Sequence, residues 1–85
     1  MAGLHLRGIK MDRAVLRGAD FTGANLRGAN LIGATAQEAC LSRARLSGAN
    51  LISASFEGAC LAKAEMEFAL MANAVLRVRT SVKLI

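Results

Sequence analysis

The sequence predicts an all-β solenoid: a four-sided coil of about twenty residues, stacked on itself just under four times. Three observations predict it. Alanine recurs at every fifth position from Ala14 to Ala74 (Ala14, Ala19, Ala24, Ala29, Ala34, Ala39, Ala44, Ala49, Ala54, Ala59, Ala64, Ala69, Ala74). Two residues after each of them, save Ala34, stands a large apolar side chain: Leu16, Phe21, Leu26, Leu31, Leu41, Leu46, Leu51, Phe56, Leu61, Met66, Met71 and Leu76. Glycine follows two residues later in many repeats, and proline is absent.

Other architectures fail on this period. On a helix, five residues turn through about 500°, so successive leucines would spiral round the axis without forming a stripe. Each interior glycine would cost such a helix up to about 1 kcal/mol. A flat strand alternates with period two, and an odd period would throw successive leucines onto opposite faces. No apolar run approaches the roughly 18 residues of a membrane span. The pattern is satisfied if the chain bends once per repeat. The alanine and the large residue then point inward, and the residue between them and the two that follow point outward. Four such sides close a square, and coils stack at about 4.8 Å.

In chain order, the frame opens at Leu4/Leu6 and Ile9/Met11 and runs through fifteen repeats to Val78. The corner position of each repeat carries glycine seven times, at Gly8, Gly18, Gly23, Gly28, Gly33, Gly48 and Gly58, where bending favours a residue without Cβ. One repeat lapses: Ala36 stands at a large-residue position, below Phe56 in the column Leu16, Ala36, Phe56, Leu76. Residues 4–78 therefore read as a single repeat domain. Residues 79–85 read as a non-repeat tail, since Arg79 and Ser81 break the frame. With no hydrophobic leader at the N-terminus, the expected location is cytoplasmic.

The runs Ala24–Gly28 (Ala-Asn-Leu-Arg-Gly), Ala29–Gly33 (Ala-Asn-Leu-Ile-Gly) and Ala19–Gly23 (Ala-Asp-Phe-Thr-Gly) resemble the consensus of the pentapeptide-repeat proteins. The resemblance covers about nine-tenths of the chain and implies a right-handed quadrilateral parallel β-helix. One branch of that family resembles DNA in shape and negative charge, and inhibits type II topoisomerases. This chain departs from that branch. Its net charge is +5, with Arg7, Arg13, Arg17, Arg27, Arg43, Arg45, Lys63 and Arg77 outward against six carboxylates in all. A gyrase-directed or nucleic-acid-associated role is therefore the alternative reading, and a noncatalytic module that binds a protein is the leading one. The family also implies dimerisation through the C-terminal end.

Residues twenty apart should form vertical columns. The column Lys10, Asn30, Asn50, Leu70 stacks two asparagines whose amides could bond between coils, and beside it Ile32 and Ile52 stack with Ala72. Asn30, Ile32, Asn50, Ile52 and Leu70 are thus the candidate partner surface. Near the C-terminus the outward residues turn apolar. Phe68, Leu70, Val75 and Val78, with Val82 and Leu84 of the tail, are the candidate dimer or cap contact. Arg43, Arg45 and Lys63 form the candidate anion patch, and Glu57 should pair with Arg77. Cys40 and Cys60 should stack on adjacent coils within disulfide range, reduced in the cytoplasm. The single His5 lies on another side, so no metal centre, cofactor site or catalytic constellation is expected.

Overall fold

The computed structural model describes residues 2–77. Within them the bridge partners are twenty residues apart without exception, from His5–Asn25 to Ser55–Val75, and every pairing is parallel. Twenty residues therefore make one coil, and five make one side. It is convenient to number coils from Leu4: 4–23, 24–43, 44–63 and a partial fourth, 64–77. The Cα positions span 25 × 24 × 24 Å, so the stack is about as tall as it is wide. Among the described residues no helix is long and apolar enough to cross a membrane.

The five backbone N–H groups of a repeat explain why the chain coils as it does. Around Leu26, the Leu26 N–H donates to the Arg45 carbonyl at 2.7 Å and the Gly28 N–H to the Ser47 carbonyl at 3.0 Å, both on the coil above. The Asn25 N–H donates to the Leu4 carbonyl on the coil below at 2.9 Å, and the Ala29 N–H closes the turn on the Leu26 carbonyl at 3.0 Å. Four donors are satisfied by backbone, leaving the Arg27 N–H. The Asn25 side chain supplies its acceptor, Oδ1 at 3.2 Å. The same device recurs from Asp20 to Thr22, Asn30 to Ile32 and Asn50 to Ile52. This is the physical content of the Asn or Asp before Phe21, Leu26, Leu31 and Leu51: an Asx turn that completes the accounting of backbone donors in those repeats. It also corrects an expectation. Asn30 and Asn50 spend their Oδ1 atoms on their own coils, and no hydrogen bond links the two amides.

Each turn places its second central residue at positive φ, with the hydrogen bond spanning the corner, the signature of a type II turn. All eight glycines stand there, Gly3 among them. So do Arg13, Glu38, Arg43, Ser53, Lys63, Phe68 and Asn73, each at φ near +60°. The geometry is imposed by the stack, and non-glycine residues adopt it at a cost.

The core is the tube's axis. Phe21, Leu26, Leu31, Leu41, Leu46, Leu51, Phe56, Leu61 and Met66 are buried, and Ala24 to Ala64 at five-residue spacing close the corners around them. No polar or charged residue is buried among the described residues. Ala36 and Phe56 are both buried, as the lapse in the repeat requires if the ring is to fill the space. Burial fades at both ends, where Leu6, Ile9, Met11, Leu16, Met71 and Leu76 are only partly covered.

Candidate interaction surface

Among the described residues, large apolar side chains that remain exposed lie on the first and last coils alone. Leu4 (48%) and Val15 (80%) stand on the first coil, and Phe68 (88%), Leu70 (54%) and Val75 (39%) on the last; coils two and three present none. Phe68 and Leu70 flank one corner, and Phe68 occupies its positive-φ position at +62°. Bulky residues rarely adopt that conformation. Sequence reasoning found Phe68, Leu70 and Val75 but passed over Val15, which tops the opposite end of the column Val15, Thr35, Ser55, Val75. Its signal was a valine at an outward position, matching Val75 at the far end of a column whose middle members are polar. Val78, Val82 and Leu84 lie outside the described residues.

The candidate strip beside this corner is less open than expected. Ile32 and Ile52 do stack, because the Gly33 N–H reaches the Ile52 carbonyl at 2.9 Å, but both are half-buried. Residues of one column stand about 4.8 Å apart, so each side chain shields the flank of the next. The Asn50–Leu70 bridge makes Leu70 the continuation of the Asn30/Asn50 column. The strip therefore runs into the Phe68 corner and forms one side of it.

The basic candidates are brought together only in part. Arg43 and Lys63 stand at successive corners of one column, both exposed. Arg45 is partnered: its Nε lies 3.9 Å from a Glu65 carboxylate oxygen, and the two residues are bridge neighbours. Glu57 meets Arg77 at 3.9 Å, as the column predicted. Both pairs are well exposed and contribute little. Glu65 beside Arg45 offsets part of the positive charge there, while Arg43 and Lys63 stack as like charges.

A polar ladder covers another side. The Thr22 hydroxyl donates to Asp20 Oδ1 at 2.7 Å and the Thr22 N–H to the same oxygen at 3.0 Å. These bonds, the side-chain one first, hold the Asp20 carboxyl below its ordinary range. Thr22 Oγ1 also lies 3.1 Å from Cys40 Sγ, and Ser42 Oγ lies 3.0 Å from Cys60 Sγ. The Cys40–Cys60 bridge confirms that the cysteines stack; neither is in a disulfide, and both are half-buried. The hydroxyl partners were not read from the sequence, because the coil length places Thr22 and Ser42 near the thiols but leaves open which way each hydroxyl turns. Among the described residues no three His, Cys, Asp or Glu side chains converge as a metal group would need.

The comparisons agree with this geometry. The family model for pentapeptide repeats matches in eight copies, over residues 1–35, 29–67 and 39–77. Among curated proteins nothing matches. Among solved structures, a pentapeptide repeat protein, Rfr23, of the cyanobacterium Cyanothece 51142 is 31% identical with a TM-score of 0.73, over 84% of this chain and 52% of that one. HetL, a pentapeptide repeat protein involved in heterocyst differentiation regulation in Nostoc sp. strain PCC 7120, is 31% identical with a TM-score of 0.68, over 93% of this chain and 40% of that one. A pentapeptide repeat protein of the Arabidopsis thaliana thylakoid lumen is 32% identical with a TM-score of 0.50, over 96% of this chain and 60% of that one. The chain thus spans 40% to 60% of the length of these relatives. The chain belongs to the pentapeptide-repeat family and has its right-handed quadrilateral β-helix fold.

Proposed function

We propose that the chain is a noncatalytic interaction module, holding a protein partner or a second copy of itself at the end of the stack that carries Phe68, Leu70 and Val75. One observation carries this reading: among the described residues the exposed large apolar side chains lie only on the first and last coils, and the largest, Phe68, is the most exposed of them. Isolated apolar patches of this kind mark contacts. The backbone adds to it. By the repeat's own rule the N–H groups of Phe68, Met71 and Asn73 point to a following coil, and none finds a backbone acceptor among the described residues. Sheet edges are templates for pairing with a further strand. The regulatory role of HetL is of the kind such a module performs, with binding as its only activity.

Sedimentation tests the proposal. At concentrations on the order of tens of micromolar the intact chain should run as a dimer, and a variant carrying Phe68→Glu and Leu70→Lys as a monomer. A monomeric intact chain removes self-association and leaves a protein partner for this end. Unchanged association in the double variant moves the contact elsewhere.

A further inference from the structure

The stacked thiols of Cys40 and Cys60 form a site that the interaction surface does not use. Their contacts repeat with the coil. Cys40 Sγ lies 3.1 Å from the hydroxyl of Thr22, eighteen residues earlier, and Cys60 Sγ lies 3.0 Å from the hydroxyl of Ser42, also eighteen earlier. Two sulfurs with the same partner, in the same place, one coil apart are related by the coil repeat. Their separation is therefore about the stacking distance, roughly 4.8 Å.

That distance selects among the chemistries open to a dithiol. A disulfide requires about 2.05 Å between sulfurs, so the side chains would have to turn toward each other out of their hydroxyl contacts. A four-coordinate metal needs more ligands than converge here. Two metal–thiolate bonds of about 2.3 Å laid end to end span about 4.6 Å, which is the gap as it stands. Ser42 Oγ, 3.8 Å from Cys40 Sγ and 3.0 Å from Cys60 Sγ, stands beside the gap as a hard oxygen that a soft ion prefers less than thiolate.

We infer that Cys40 and Cys60 form a two-coordinate site for a soft monovalent d10 cation such as Cu(I), bridging neighbouring coils. Thiolate softness selects such ions. Binding breaks two S–H bonds, releases two protons to solvent and forms two S–metal bonds, with no change of oxidation state. The ligand pair rests on backbone bridges, so it is set before the ion arrives, and the coil holds the second thiol at high effective concentration.

The probe is Cu(I) itself, offered anaerobically to the reduced full chain against a chromophoric Cu(I) chelator. The chain should take one Cu(I), and both thiols should become protected together from alkylation. Cys40→Ser and Cys60→Ser, which keep a small polar group in place, should each weaken binding by about 100-fold or more, the loss of a tethered second ligand. A control combining Cys60→Ser with Asn50→Cys keeps two thiols but sets them ten residues apart, on opposite sides of the square. It should bind no better than the single-thiol variants. Two ions per chain, a copper-linked dimer in native mass spectrometry, protection of one thiol alone, or parent-like binding by the control would overturn the inference.

Discussion

Asn50 shows how one side chain sustains the backbone of this fold. Its Oδ1 accepts the Ile52 N–H at 3.2 Å, the one donor of that repeat which the ladder leaves over. Asn50→Ala should therefore cost about 0.5–1.5 kcal/mol, read as a lower denaturation midpoint, whereas Asn50→Asp, which keeps the acceptor, should cost less. Equal losses would mean the amide acts through something other than this turn. At the corners the balance lies between backbone strain and chain entropy. A non-glycine residue at left-handed φ costs about 1–2 kcal/mol, and a glycine forfeits about 0.5–1 kcal/mol of freedom. Arg43→Gly should thus stabilise by up to about 1 kcal/mol. Asn73→Gly should change little, since asparagine tolerates this conformation; a thermal melt of each decides it. Asp20 is one residue that couples stability to pH. Its folded carboxyl ionises more readily than the unfolded one, because Thr22 donates to it twice. The stability this brings is present above the unfolded value and is lost as pH falls through the lower folded one. Between about pH 5 and pH 2, the parent should lose more melting temperature than Asp20→Asn, which keeps the acceptor without the charge. Parallel curves would assign acid sensitivity to other carboxylates.

The coil is the element at which packing is decided. A tube one side chain wide cannot redistribute volume sideways, so each interior layer must be filled by its own four residues and those directly above and below. Ala36 and Phe56 illustrate this: a small residue below a large one, both buried. Ala36→Leu restores the repeat's preferred residue and should still destabilise, by roughly 1–3 kcal/mol, because the interior is already close-packed. A melting temperature at or above the parent's would refute complementary packing in that column. Surface pairs follow the same vertical order, Arg45 with Glu65 and Glu57 with Arg77. At this exposure they tune solubility more than stability.

At the scale of the molecule, stability and function are drawn apart along the stack. The two central coils are covered above and below, and their inward large apolar residues are buried. The first and last described coils have one described neighbour each, and there Met71, Leu76, Leu6 and Met11 are only partly covered. In a quasi-one-dimensional fold the ends are the weakest units, so a partner docking at Phe68 and Leu70 would also bury the last coil. Association should therefore raise the melting temperature of the parent as concentration rises. The Phe68→Glu, Leu70→Lys variant should melt at a temperature independent of concentration. The same dependence in both would place the contact away from this corner.

The five-residue period by itself determined the fold class, the coil length, the inward residues and the columns, because a strict repeat leaves one way to bury every fifth alanine with the residue two after it. The Glu57–Arg77 pair, the stacking of the cysteines and the outward Phe68, Leu70 and Val75 were legible for the same reason. Only the tertiary structure decided how far each outward side chain is covered and where its polar atoms turn. Asn30 and Asn50 bond within their own coils, Ile32 and Ile52 are half-hidden by each other, Arg45 lies beside Glu65, and the two thiols each meet a hydroxyl of the coil below. Periodicity fixes the direction of a Cα–Cβ bond. The rotamer beyond it depends on which neighbours the stack brings within hydrogen-bond reach, a distance set by coordinates across coils and by nothing local in the chain.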